Sequence, residues 1–165
     1  MSDATPTVKN NFESAIAVAL GLAEEAAKRD EVPVGAIVLD SNGQIIGRGA
    51  NDREQTRNPL RHAEMIAIEE AAGSMKSWRL TGCTLVVTLE PCLMCLAAAQ
   101  QARIGHVVFA AKDPKGGALS LGHHFHEDTR LNHRFTVEYL ETPACGEVLS
   151  RFFKQKRLNK VTNES

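Results

Sequence analysis

A chain of 165 residues with a formal net charge of −1 is long enough to bury one core, and its overall charge offers no general attraction to nucleic acid. It contains no run of about 18 apolar residues, which excludes a membrane-spanning helix. The polar start MSDATPTVKNN lacks the basic-then-apolar order of a secretory signal, so the cytoplasm is the expected location. Thiols stay reduced there, so Cys83, Cys92, Cys95 and Cys145 are expected as free thiols or metal ligands. The charge is unevenly placed. RFFKQKRLNK (151–160) carries five basic residues and no acidic one, leaving an acidic remainder. Such a tail suits either a local polyanion contact or the solvated face of a terminal helix.

Residues 1–10 are expected to be disordered. Phe12, Ile16, Ala19, Leu20 and Ala23 then recur at helical spacing and predict an amphipathic helix to about Arg29. VPVGAIVLD reads as a buried strand, SNG as a turn and QIIGRGA as the hairpin partner. NDREQTRNPLR (51–61) has no periodicity and reads as a loop, after which HAEMIAIEEAAG resumes helical spacing with Gly73 as its stop. CTLVVTL (83–89) is short and β-branched, a strand. Pro91 suits the first turn of the next helix, CLMCLAAAQQAR, because its missing N–H would have no partner there. HVVFAA is a strand, DPKGGALSLGHHFHEDTRLNH a long loop, RFTVEYL the last strand, and a final helix starts near Ala144. The order α-β-β-α-β-α-β-β-α predicts one α/β domain over 11–160, with helices for both faces of a mixed sheet and a flexible end at 161–165.

Taken alone, Cys92-Leu93-Met94-Cys95 fits a redox pair, half of a zinc knuckle or two core thiols. A four-thiolate zinc site would need a second CxxC, and the chain has none. The other helix that opens abruptly after a loop begins Arg61-His62-Ala63-Glu64, placing His62 near its start as Cys92 is in its own. Two helix starts converging on one point would bring one imidazole and two thiolates together. Zinc takes such donors tetrahedrally, and three protein ligands leave a position for water, the mark of a catalytic site. Glu64 can lie beside the metal without binding it, take a proton from activated water and return it to a substrate. Singly, His62 reads as a cap, the cysteines as core and Glu64 as a first-turn acid. Jointly, His-x-Glu and Pro-Cys-x-x-Cys at consecutive helix starts point to a catalytic zinc site.

These residues resemble the zinc-dependent cytidine and deoxycytidylate deaminase superfamily, whose signature is H-x-E…P-C-x-x-C. EVPVGAIV, the asparagine of GRGAN, HAEMIAI, TLEPCLMC, RIGHVVFAAKD, LNHR and FFKQKR narrow the resemblance to the bacterial tRNA-specific adenosine deaminases, over about residues 12–160. The resemblance implies a three-layer α/β/α fold with one mixed sheet of about five strands. It implies one Zn2+ per subunit on His62, Cys92 and Cys95, with Glu64 as proton shuttle. The implied reaction is hydrolytic conversion of the wobble adenosine of a tRNA anticodon stem-loop, usually of an arginine tRNA, to inosine by a homodimer. Asn51 matches the asparagine that hydrogen-bonds the flipped base, and Ala63 a backbone contact to it. Asp113 and Lys115 match a loop near the anticodon backbone, and Phe152, Phe153, Lys154, Lys156 and Arg157 the RNA-contacting C-terminal helix. The loop after Asp113 departs from the family pattern: Gly116 and Gly117 make its backbone more permissive, and His123, His124 and His126 are expected on a solvated loop, ahead of RNA contact or a second metal site. Cys83 is expected in the core, and Cys145 in or against the last helix. The competing functions are a zinc-dependent deaminase of a free base or nucleoside such as guanine or cytosine, a non-catalytic zinc module and a thioredoxin-like redox protein.

Overall fold

The computed structural model describes residues 6–164. Strands β1 (Gly35–Leu39), β2 (Ile45–Ala50), β3 (Thr84–Val87), β4 (His106–Phe109) and β5 (Thr136–Tyr139) form one sheet in the order β2-β1-β3-β4-β5. β1 runs antiparallel to both of its neighbours, and β3, β4 and β5 are mutually parallel. All five residues of β1 are buried, as expected of a strand covered on both faces.

Alternation along the strands divides the core in two. Ala36, Val38, Leu85, Val87, Val107 and Phe109 meet helices α3 (Ala63–Met75) and α4 (Leu93–Gln101). Ile37, Leu39, Val86 and Val108 face the opposite way, onto α1 (Pro6–Lys28) and Cys145 of α5 (Pro143–Asn163). The result is the expected α/β/α layering. Cys83 is buried in the core and Cys145 is buried within α5, as expected. Helix α3 lies close on β2 because Gly49 has no side chain; a Cβ there would collide with the carbonyl oxygen of Ala63, the first helical residue.

Local chemistry moves several boundaries. Helix α1 begins at Pro6, inside the stretch expected to be disordered, while residues 1–5 lie outside the described residues. Gly73 does not end α3. The helix continues to Met75, and Lys76 takes the left-handed conformation (φ 51°) while its N–H donates to the last carbonyls. Pro91 lies before α4, not in its first turn, because its carbonyl accepts the Ala118 N–H (2.9 Å) and Cys92 takes the N-cap. The loop 51–61 contains a short helix, α2 (Arg53–Thr56), closed by left-handed Arg57. The long loop before β5 carries one 3-10 turn, Phe125–Glu127, and α5 runs on to Asn163. No described helix is long and apolar enough to cross a membrane.

Candidate active site

The site lies at the sheet edge where β2, β3 and β4 end and β1 begins. His62 is the N-cap of α3 and Cys92 the N-cap of α4, both with extended backbones, and neither side chain caps its own helix. Both turn instead toward Cys95, one turn into α4. His62 Nδ1 stands 3.6 Å from Cys92 Sγ and 3.5 Å from Cys95 Sγ. A nitrogen and a sulfur on one tetrahedral zinc would lie about 3.6 Å apart. The donor set therefore fits zinc in both chemistry and spacing, and no other member of the family signature is needed to complete it. All four cysteines are free thiols. Hydrogen bonds from Cys95 and then His62 hold the Cys92 thiol down at about 4, despite its partial burial. Cys95 is pushed up by its bond to Cys92 and by burial, and His62 is raised by its bond to Cys92.

Glu64 sits two residues into α3, buried, with Oε2 lacking a hydrogen-bond partner among the described residues. Burial raises its carboxyl to about 7, with the neighbouring Cys92 adding to the shift. A carboxyl poised there can both accept and release a proton near neutrality. Asn51, at the end of β2, is also buried and its Oδ1 accepts the Ala63 N–H at 2.8 Å. That bond spends the Ala63 N–H and leaves the Asn51 NH2 as the half of the amide available to a substrate.

A cavity of about 840 Å3 opens over this floor. Asn51, His62, Glu64 and Cys92 line its depth, and Arg53, Lys112, Asp113, Lys115, Phe153 and Arg157 line its rim. None of the four rim cations is in an ion pair among the described residues. On α5, Gly146, Leu149, Ser150, Phe153 and Arg157 share the face toward the cavity. Phe152, Lys154 and Lys156 fall off that face: Lys156 Nζ pairs with Asp30 at 2.6 Å, and the Phe152 ring packs edge-on against Phe153.

Residues 9–111 match the cytidine and deoxycytidylate deaminase zinc-binding region, which covers more than half the chain. The tRNA-specific adenosine deaminase of Streptococcus pyogenes serotype M1 is 42% identical over 143 residues, 86% of this chain and 83% of that protein. This chain belongs to the tRNA-specific adenosine deaminase family. Among solved structures, a tRNA:A34 deaminase studied for A-to-I editing at the wobble position superposes with a TM-score of 0.77 and 37% identity, covering 83% of this chain and 99% of that one. The tRNA(Ile)-lysidine synthase of Deinococcus radiodurans is 54% identical over 108 residues, but the chain spans only 19% of its length. The family's zinc-binding region makes this a zinc-dependent deaminase, and His62, Cys92 and Cys95 form its candidate zinc site.

Two carboxylates of this deaminase went unread in the sequence. Glu31, almost wholly buried, accepts the Arg53 N–H at 3.1 Å and the Gln55 N–H at 2.8 Å, pinning α2 and with it the segment following Asn51. Glu90, between β3 and the zinc ligands, accepts Ser120 N–H (3.0 Å) and Oγ–H (2.6 Å), tying down the loop that carries Asp113 and Lys115. Gly117 is required there, since a Cβ would overlap the Glu90 carboxylate. Glu90 precedes Pro91 directly and was open to notice; Glu31 binds residues over twenty positions away and was not.

Proposed function

We propose that this deaminase converts the wobble adenosine of a tRNA anticodon loop, with an arginine tRNA as substrate, to inosine, acting in the cytoplasm as a homodimer. The observation that carries the substrate is the rim of the cavity, where Arg53, Lys112, Lys115 and Arg157 stand outside ion pairs among the described residues. A free base has no phosphates for four cations to neutralise, whereas an RNA loop threads several past such a rim. A base must leave its stack to reach a buried floor, and an anticodon-loop base is already unpaired, so little is lost in flipping it. Phe153, 44% exposed at the mouth, offers a ring for a neighbouring base. Homodimerisation is supported by Leu60 and Leu93, both about half exposed beside the zinc ligands, which a second copy would cover.

The chemistry follows from the floor. Zinc, when bound by His62, Cys92 and Cys95, supplies Lewis-acid activation of water. Asn51 donates its NH2 to a ring nitrogen of adenine and orients C6 toward the metal ligands. Glu64 accepts the proton of the attacking water and delivers it to N1. After addition at C6, Glu64 passes the second proton to the departing amino group, so adenosine and water become inosine and ammonia. Burial of Glu64 keeps its carboxyl near neutrality in affinity, which suits both transfers.

The test pairs the zinc-loaded chain with Glu64→Gln on an arginine-tRNA anticodon stem-loop, stem-loops of other tRNAs bearing a wobble adenosine, free adenosine and free guanine. Inosine from the arginine stem-loop alone, reduced by a factor of at least about 100 in the variant, is the expected result. Turnover of a free base with inert stem-loops would overturn the substrate, and an active Glu64→Gln would overturn the shuttle.

A further inference from the structure

The histidine-rich stretch 123–127 takes no part in the cavity and has no role in the chemistry above. We propose that His124, His126 and Glu127 form a second, thiolate-free site for a divalent first-row transition ion. The three stand on one 3-10 turn, with His124 as its N-cap and His126 and Glu127 within it, and one ligand atom from each lies within 4.8 Å of the others. The independent observation is His126 itself. Its ring is 4% exposed, its Nδ1 has no hydrogen-bond partner among the described residues, and its Nε2 is 3.8 Å from Glu127 Oε1, beyond hydrogen-bonding distance. A buried ring nitrogen without a partner, as Nδ1 is, carries a desolvation cost that an apolar side chain packed on Phe135, as His126 is at 5.6 Å, would avoid. A bound ion resolves the cost by using a ring nitrogen as ligand. Two imidazoles and a carboxylate suit zinc, cobalt, nickel or iron, and three protein donors leave positions for water.

The geometry also sets the strength. Nitrogen and oxygen donors on one zinc lie about 3.4 Å apart, so the exposed His124 and Glu127 must rotate inward on buried His126 and lose rotamer freedom. Arg134 lines the adjoining hollow and offsets part of the attraction. The second site is therefore weaker than the first. Its effect is on the fold: the His126 carbonyl accepts the Phe135 N–H (3.4 Å) just before β5, so an ion clamps the long connection from β4 to the edge strand. Binding to the folded state alone raises its stability by mass action.

Cobalt(II) titration of the chain with its cysteine site already filled by zinc tests this, followed by calorimetry, visible absorption and elemental analysis. One further cobalt per chain is expected, without a sulfur-to-cobalt band, and with a rise in melting temperature. His124→Ala and Glu127→Gln, both at exposed positions, should each weaken that uptake by more than about tenfold while one zinc per chain is retained. No uptake at submillimolar cobalt, uptake carrying the sulfur band, or uptake unchanged in both variants would each overturn the second site.

Discussion

Glu31→Ala removes an acceptor from two backbone donors that lie far away in sequence, the N–H groups of Arg53 (3.1 Å) and Gln55 (2.8 Å). A hydrogen bond to a charged group contributes about 1.5–3 kcal/mol, and because these bonds are only partly buried the lower figure applies to each, for a loss of about 3 kcal/mol. In a chain of this length that lowers the melting temperature by about 6–12 °C. Glu31→Gln keeps one acceptor oxygen but presents an NH2 to the other donor, so it should lose about half as much. Differential scanning calorimetry of the zinc-loaded proteins reads the series directly. The same loop carries Asn51 and Arg53 into the cavity, so KM for the stem-loop should rise in both variants while zinc content stays at one per chain. Equal melting temperatures for Ala and Gln, or a shift below about 3 °C for Ala, would refute the two-bond reasoning.

Gly49→Ala should destabilise the fold by about 1–3 kcal/mol in urea denaturation, because the Ala63 carbonyl it strikes is backbone and cannot rotate away. The displaced start of α3 carries His62, so zinc affinity against a chromophoric chelator should fall as well; unchanged stability would contradict the close approach. Lys115→Ala combined with Arg157→Ala should reduce the salt slope of stem-loop binding by about 1.4, measured by anisotropy on a Glu64→Gln background, and an unchanged slope would remove these cations from the RNA path. Zinc should protect the chain from Ellman's reagent. After chelation Cys92, whose thiol is held down at about 4, should label before buried Cys145, pushed up to about 11; the reverse order in mass spectra would contradict the thiolate assignment.

Short-range chemistry made much of this legible. The β-branched runs of β3 and β4, the glycine-bounded hairpin of β1 and β2, and the abrupt starts at His62 and Cys92 are all written in consecutive residues. The joint appearance of imidazole, carboxylate and two thiols at those starts was enough to nominate the candidate zinc ligands, and the fold brings His62 Nδ1 to within 3.6 Å of both sulfurs. What escaped depends on partners distant in the chain. Pro91 looked like a first-turn proline until its carbonyl met the Ala118 N–H. Lys76 closes α3 in a left-handed conformation that a glycine would have advertised. Helical periodicity alone could have separated Phe153 and Arg157 from Phe152, Lys154 and Lys156, but which face meets the cavity is set by tertiary docking, including the Lys156–Asp30 pair.

The candidate zinc ligands and Glu64 are fixed to two helix starts packed on the sheet, whereas the residues lining the rim of the cavity arrive on three separate outer segments: α2, the loop held by Glu90, and α5. Reaction and address are thus carried by different pieces of chain. Evolution, or an engineer, can rewrite which nucleic acid is admitted by exchanging those outer segments, while the hydrolytic machinery beneath is inherited unaltered.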